Sequence, residues 1–519
     1  MILLDSLNRH LIGPYRALAQ VAPVAGLDTD EPPFATPNLD RFAQRAVRFD
    51  RHFVGSLPCM PARHDILVGA LDFLWRPWGS IELWERPITD ALRSAGVTTQ
   101  LISDHPHLFE TGGENYHTDF SAWDYQRGHE SDPWKTRPDP SFIGTPTVGW
   151  RHMPYDDSRT YYRAEEDFPG PRTMAAAASW IENNAHQHDR FLLFVDEFDP
   201  HEPFDTPEPY ASMYDNSWEG PPLVWPPYQV GAVASGKMSP AEVRKLRANY
   251  GAKLTMIDHW FGRVLDAIES NQLWDDTAVI LCTDHGHYLG EDDVFGKPGT
   301  WIRETLGHTP LMIWWPGRPP EAPRSTTALS TNVDLHATLV DLFGVQDRVT
   351  HRTHGRSLIP VLDGSASGVR DWALGGVWGR EVQIVNATTT GGQVSTTTYA
   401  RAPAHQNSPL SMWSNRWSTM PVHGFPDIRL PVPDDRAWLD RMPGSTVPVI
   451  RQPFVAGDLL PFWAATKFTG NHLHDLVDDP AQQHDLVSTQ REKEAAELLR
   501  TALVEMEAPS DQFERLGLK

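Results

Sequence analysis

The feature that most constrains this chain of 519 residues is a series of short apolar runs, each followed by acidic residues or histidine. The clearest are residues 191–195 (FLLFV), which precede Asp196, and residues 278–282 (AVILC), which precede Asp284 and His285. Runs of this length are typical of strands buried on both faces. Segments with helical spacing of apolar residues lie between them, as at residues 243–268. Strands alternating with helices predict an α/β fold with a large, mostly parallel sheet sandwiched by helices.

The pattern changes after about residue 363. Residues 381–385 and 393–398 flank Gly391 and Gly392, which predicts an antiparallel hairpin, and residues 492–506 have helical spacing. We therefore predict a catalytic domain of residues 1–365 and a smaller C-terminal α+β subdomain of residues 366–519 that contains an antiparallel sheet. Residues 403–458 are rich in Pro and Trp and follow neither periodicity.

The charge and the cysteine content of the chain limit its binding partners and its cellular compartment. Asp and Glu (68) outnumber Lys and Arg (45), so the net charge is −23 and a polyanion such as nucleic acid is a poor partner. The two cysteines do not suggest a disulfide framework, and the first residues show neither a signal peptide nor a membrane span. We therefore predict a cytoplasmic protein without a membrane partner. The 20 tryptophans leave a homo-oligomer open.

Polar residues follow several of the predicted strands. In an open parallel sheet, ligands bind beyond the carboxyl ends of the strands. Asp5 follows residues 2–4, Asp284 and His285 follow residues 278–282, and further groups occupy 104–107 and 196–201. A single aspartate at such a position is more often a capping residue. Two carboxylates and an imidazole at neighbouring strand ends, however, predict a site for a divalent cation.

A second feature is the segment PCMPAR at residues 58–63. Its prolines place Cys59 near the N-terminus of a predicted helix, where backbone N–H groups favour an anion. Arg63, one turn later, adds a guanidinium that can bind an oxyanion through two hydrogen bonds. Cys59 is therefore a candidate nucleophile. Cys282 lies inside a predicted strand, and we expect it to be a small buried apolar residue.

These residues resemble the sulfatase family of the alkaline phosphatase superfamily, because CMPAR at 59–63 matches the family signature C-x-P-x-R. Further stretches resemble family landmarks in the family's order, so the resemblance spans most of the chain. They are TPNLDRFA at 36–43, DHG at 284–286, GK at 296–297, PLMIWWPG at 310–317, VDLHATL at 333–339, HGRSL at 354–358 and LHDLVDDP at 473–480.

The resemblance implies an alkaline phosphatase-like fold and a site built on formylglycine, which a formylglycine-generating enzyme makes from the signature cysteine. It implies a divalent metal ion held by Asp5, modified Cys59, Asp284 and His285. The implied catalytic residues are the modified Cys59 as nucleophile, Arg63 beside it, His201 and Lys297 at the ester and leaving group, and His107 as the base.

The chain also departs from the pattern of many sulfatases. Ser6 follows Asp5 where a second Asp is common, His285 stands where Asn is common, and His105 replaces a lysine that helps to bind sulfate. The ending Asp284-His285 is similar to the branch of bacterial arylsulfatases and phosphonate monoester hydrolases. One carboxylate fewer and one nitrogen ligand more favour Mn²⁺ over Ca²⁺.

The leading interpretation is a sulfuric ester hydrolase that acts on a small anionic organic ester, because an acidic chain lacks the basic surface that a polyanionic substrate needs. The same site would also stabilise pentavalent phosphorus, so a phosphonate monoester or phosphodiester hydrolase is the alternative. A third reading is a non-catalytic relative that binds a ligand with its tryptophans.

Overall fold

The computed structural model describes residues 1–18, 22–27, 33–143, 154–390, 393–420, 432–461, 463–464, 466–487 and 490–519. Among these residues, no helix combines the length and the apolar character that crossing a bilayer requires. The strands are β1 Ile2–Leu4, β2 Val47–Phe53, β3 Thr98–Ser103, β4 Ala122–Tyr125, β5 Phe191–Glu197, β6 Val279–Cys282, β7 Tyr288–Leu289, β8 Phe295–Gly296, β9 His308–Trp314, β10 Ser325–Thr331, β11 Trp372–Gly376, β12 Val382–Thr390, β13 Gln393–Arg401, β14 Leu410–Ser414, β15 Trp438–Arg441, β16 Pro448–Phe454 and β17 His472–Asp475.

The helices alternate with the strands in the first two thirds of the chain. They are α1 Gly13–Arg16, α2 Pro37–Ala43, α3 Cys59–Val68, α4 Ile88–Ser94, α5 Pro154–Arg159, α6 Pro169–Asn184, α7 Pro240–Ser270, α8 Glu304–Gly307, α9 Asn332–Phe343, α10 Ile359–Leu362, α11 Gln490–Glu505 and α12 Ser510–Arg515. The long helix α7 begins with a capping box, in which Ser239 Oγ accepts from the Glu242 N–H and the Glu242 carboxylate accepts from the Ser239 N–H.

The large sheet has eight strands in the order β10-β2-β9-β6-β1-β5-β3-β4. Strand β9 runs antiparallel to both of its neighbours, β2 and β6, and the other pairs are parallel. The predicted mostly parallel sheet is therefore confirmed. Strands β6, β1 and β5 lie side by side at its centre, so the residues at their carboxyl ends are neighbours.

Helices cover both faces of this sheet. Because side chains alternate along a strand, Ile2 and Leu4 pack into the core formed with α2, α6 and α7, whereas Leu3 packs into the opposite core with α3, α4 and α9. Apolar residues on both faces explain why the central strands read as continuous apolar runs rather than as alternating ones.

The C-terminal part contains two antiparallel sheets, β11-β12-β13-β17 and β14-β16-β15. Strands β12 and β13 form the predicted hairpin, and α11 packs against this sheet through Leu499 and Leu503. The second sheet lies within residues 403–458, for which the sequence predicted no secondary structure. Aromatic residues, prolines and turns interrupt the alternation of apolar and polar residues there. The division at residue 365 stays a prediction, although every strand of the large sheet precedes it.

Candidate active site

Three aspartates meet at the carboxyl edge of the central strands. Asp5 directly follows β1, Asp196 lies in β5, and Asp284 comes two residues after β6. All three are at most 1% exposed. Ser6 links two of the strand ends, because its N–H donates to Asp284 Oδ1 (3.1 Å) and its hydroxyl donates to Asp5 Oδ1 (2.9 Å). The strand ends therefore converge as the sequence predicts.

Arg63, on α3, lies at the centre of the three carboxylates. Its Nε and Nη2 donate to Asp196 (2.8 and 2.6 Å), while Nη2 also lies 2.9 Å from Asp5 and Nη1 donates to Asp284 at 2.9 Å. One buried guanidinium thus stabilises three buried carboxyl groups, which would repel one another if all were charged. The expected role of Arg63 at an oxyanion stays a prediction, since its donors face carboxylates in this structure.

The carboxylates differ in their proton affinity. Burial and the nearby Asp284 raise the pKa of Asp5 well above its usual value. Burial would also raise the pKa of Asp284, but His285 and Arg63 outweigh burial and lower it. The environment therefore favours one proton shared unequally between the two carboxyl groups.

Cys59 is the first residue of α3 and is 3% exposed, so the predicted position at a helix N-terminus is confirmed. Its Sγ lies 3.3 Å from His285 Nε2 and 3.7 Å from Lys297 Nζ. Burial, followed by the charge of Asp5, raises the pKa of the Cys59 thiol well above its ordinary value. The thiol therefore stays protonated in this environment, despite the helix N-terminus and the nearby lysine.

His285 is oriented by its own neighbour, because its Nδ1 hydrogen-bonds to the Gly286 carbonyl at 2.9 Å. Its Nε2 therefore points toward Cys59 and also lies 3.2 Å from Asp284 Oδ2. Residue 286 must be glycine, since a Cβ there would lie 1.9 Å from the carbonyl oxygen of Thr305. Ligand atoms of Asp5, Cys59, Asp284 and His285 all lie within 4.8 Å of one another, which brings together the four predicted metal ligands.

Lys297 and His201 form a pair close to Cys59. Lys297 Nζ lies 2.7 Å from His201 Nε2 and 3.5 Å from Ser6 Oγ. Burial would lower the pKa of Lys297, but the nearby acidic groups Cys59, Glu202 and the aspartates outweigh burial and raise it. Burial and Lys297 together lower the pKa of His201 well below its usual value, so this imidazole is neutral.

Two histidines follow β3. His105 is buried, neither of its ring nitrogens has a hydrogen-bond partner, and its Nε2 lies 3.9 Å from Asp5 Oδ2. His107 lies further out, with its ring 5.2 Å from that of His105, and hydrogen-bonds to Glu110 through Nδ1. Burial would lower the pKa of His107, but Glu110 and Glu130 raise it to about 10. The role of His107 as a base stays a prediction.

Sequence reasoning did not assign several residues that surround this site. Asp196 could have been assigned, because it follows an apolar run in the same way as Asp5. Tyr228 hydrogen-bonds to Glu202, and a ligand atom of Glu130 lies within 4.8 Å of those of His201 and Glu202. Tyr228 and Glu130 belong to loops, where no periodic signal marks a functional side chain.

The chain is similar to several known sulfatases and related hydrolases. A family model described as Sulfatase matches residues 2–345. The choline-sulfatase of Rhizobium meliloti (strain 1021) is 26% identical over 362 residues, which cover 63% of this chain and 67% of that protein. The multifunctional alkaline phosphatase superfamily protein PehA of Trinickia caryophylli is 26% identical over 402 residues, which cover 66% and 74%.

The fold is also shared with a solved structure, the phosphonate monoester hydrolase SpPMH of Silicibacter pomeroyi. The TM-score is 0.59 at 20% identity, over 99% of this chain and 96% of that one. This likeness shows an alkaline phosphatase-like fold. Together with the family match over most of the large-sheet region, it leads to one conclusion: the chain belongs to the sulfatase family of the alkaline phosphatase superfamily and is a sulfatase-type hydrolase of sulfate esters.

Proposed function

We propose that this hydrolase cleaves a small anionic organic sulfate ester with a formylglycine derived from Cys59 and a divalent metal ion. The observation that carries the proposal is that Cys59 is close to two groups of residues. Ligand atoms of Asp5, Asp284 and His285 lie within 4.8 Å of its Sγ, and Lys297, which contacts His201, lies 3.7 Å from it. A group at position 59 can therefore contact a metal ion and an ester at the same time.

The residues present fit a divalent cation. Asp5 Oδ2 is buried without a hydrogen-bond partner, although it lies 2.9 Å from Arg63, and the backbone contact of His285 turns Nε2 toward the same space. Two carboxylates, one imidazole and an oxygen at position 59 form a donor set that suits Mn²⁺ better than Ca²⁺. A bound cation would supply Lewis-acid stabilisation of the charge that develops on the ester.

The arrangement of this chain's own residues supports a small substrate with a single negative charge. Lys297 Nζ lies 3.7 Å from Cys59 Sγ, while Arg63 is already surrounded by three carboxylates. Lys297 and His201 lie where they can hold an ester oxygen and place a proton on the leaving group. The acidic side chains Glu130 and Glu202 border the same side, which disfavours a substrate with many sulfate groups.

Mass spectrometry of the tryptic peptide of residues 52–63 tests the modification. The protein is made in a host that modifies such cysteines, and the expected peptide has lost sulfur and two hydrogens and gained one oxygen at Cys59. An unmodified thiol in fully active enzyme would contradict the proposal. Cys282, in a separate peptide, should keep its thiol and serves as the internal control.

The alternative substrate class is a phosphonate monoester or phosphodiester. The similarity of the chain to PehA, which is described as multifunctional, and to a phosphonate monoester hydrolase supports this alternative. Comparison of kcat/KM for an aryl sulfate and the matched phenylphosphonate ester separates the two proposals. A preference for the phosphonate by orders of magnitude would overturn the sulfate proposal without affecting the role of Cys59.

We also propose a formylglycine-generating enzyme as a partner during maturation. Because Cys59 is 3% exposed at the start of a fully buried helix, that enzyme would have to reach the cysteine before α3 packs. A cytoplasmic location and a homo-oligomeric state also stay proposals. Cell fractionation and light scattering test them.

A further inference from the structure

A second group of metal-binding side chains lies outside the active site, at β17 and the loop that follows it. His472 and His474 are two residues apart on the strand, and Asp485 lies on the loop. One ligand atom from each of these three residues lies within 4.8 Å of the other two. His472 Nδ1 is 2.8 Å from Asp485 Oδ2, and its Nε2 is 2.8 Å from the hydroxyl of Thr469.

His474 provides an independent indication of a missing ligand. Its side chain is 3% exposed, and neither ring nitrogen has a hydrogen-bond partner; its nearest charged neighbour is Asp479, 3.7 Å from Nδ1. A buried imidazole without hydrogen bonds is costly.

The positions of His472 and Asp485 are set by their surroundings. Asp485 Oδ1 accepts the N–H groups of Leu473 (3.1 Å) and Val487 (3.0 Å), which leaves Oδ2 directed at His472. The indole of Trp301 lies nearly parallel to both imidazoles, with ring centroids 4.7 and 5.2 Å away. The packing therefore restrains the two rings before any ligand binds.

We propose that His472, His474 and Asp485 form a second metal site, which binds Zn²⁺ or a similar transition ion. Two imidazoles and a carboxylate are typical zinc ligands, with bonds of about 2.0–2.2 Å. Side-chain rotations that move each donor atom by about 1 Å are enough to bring the three donors around one ion. Asp479 and water can complete the coordination shell.

The site lies where two parts of the molecule meet. β17 belongs to the C-terminal sheet, whereas Trp301 follows Lys297 by four residues in the chain. Thr466 also donates to the Gly299 carbonyl (2.8 Å), so the loop after Lys297 already rests on this region. A metal ion here would restrain the loop at its contact with the C-terminal sheet.

Zn²⁺ titration of the metal-free, tag-free full chain tests this site. Isothermal calorimetry and thermal unfolding are measured in the wild-type and Asp284→Asn backgrounds, because the latter weakens the active-site metal group. We expect His474→Phe, which keeps the ring against Trp301, to remove one equivalent of bound Zn²⁺ in both backgrounds. In the Asp284→Asn background, Zn²⁺ should raise Tm, and His474→Phe should abolish that rise.

Two further variants keep the test decisive. Asp485→Asn alters a side chain that is 36% exposed and keeps an oxygen for the Leu473 and Val487 N–H groups, so it should fold normally and also lose this equivalent, even if His474→Phe proves unstable. His484→Phe, whose side chain is 84% exposed, is the matched control and should bind as much Zn²⁺ as the wild type. Unchanged stoichiometry in both His474→Phe and Asp485→Asn would overturn the proposal.

Discussion

Lys297 donates a hydrogen bond to His201, with Nζ and Nε2 2.7 Å apart. An ammonium has no acceptor, so His201 Nε2 must be unprotonated, and its Nδ1–H donates to the Glu202 carbonyl at 2.9 Å. The pair therefore consists of one buried cation and one neutral imidazole beside Cys59. This arrangement leaves Lys297 as the proton donor of the pair, while His201 orients it.

Replacement of Lys297 by Ala should affect poor leaving groups most. We expect kcat/KM for an alkyl sulfate to fall by about 100-fold or more, and that for a nitrophenyl sulfate to fall much less, because the activated ester needs no proton on its leaving group. Lys237→Ala, at an exposed lysine, is the control. Equal losses on both esters would remove Lys297 from this role.

Replacement of Cys59 by Ala should abolish nearly all turnover without unfolding the protein. The side chain begins a buried helix, and Ala is compatible with that position, so circular dichroism and Tm should stay close to the wild type. Cys282→Ala is the matched control, since this second buried thiol lies within β6 and should leave kcat unchanged. Wild-type rates in Cys59→Ala would refute the nucleophile assignment.

Replacement of Asp284 by Asn should remove metal and activity together, because the change preserves shape and deletes one ligand charge. Asp196→Asn is the comparison: this carboxylate also binds Arg63 but lies outside the predicted metal group. We expect elemental analysis to show metal retained in Asp196→Asn and lost from the active site in Asp284→Asn. Full metal content and activity in Asp284→Asn would contradict the ligand assignment.

The buried pair of His64 and Glu85 should give stability a distinct pH dependence. Burial opposes both charges, but Asp72 and Glu85 raise the pKa of His64 to about 9, and His64 and Arg76 lower that of Glu85 to about 2. The contribution of His64 is complete below pH 6.5 and is lost as the pH rises through 9. That of Glu85 is complete above pH 4.5 and is lost as the pH falls through 2.

Glu85→Gln tests this pair. The free energy of unfolding should decrease by about 3 kcal/mol between pH 4.5 and 6.5, since a buried charge loses its partner, and the difference should shrink toward pH 9. Urea unfolding at several pH values measures it. Asp266→Asn, in an exposed pair with Arg41, should change the free energy little at any pH. A pH-independent effect of Glu85→Gln would show that the pair is not charged as described.

The sequence by itself determined where the central strands end and that strands alternate with helices. Residues 2–4 and 278–282 are local apolar runs, and Asp5 and Asp284 follow them within two residues, so periodicity and the rules of parallel sheets were enough to place both carboxylates at one edge. The N-terminal position of Cys59 on α3 followed equally from local signals, the prolines at 58 and 61.

Only the tertiary structure decided which partners these groups have. Arg63 is shared by three carboxylates from three strands, Lys297 meets His201 across 96 positions of the chain, and His472 and His474 lie against Trp301. Such contacts depend on how loops pack over the sheet. Local periodicity does not predict that packing, because the positions of loop residues depend on contacts with residues far away in the chain and not on the repeat of a strand or a helix.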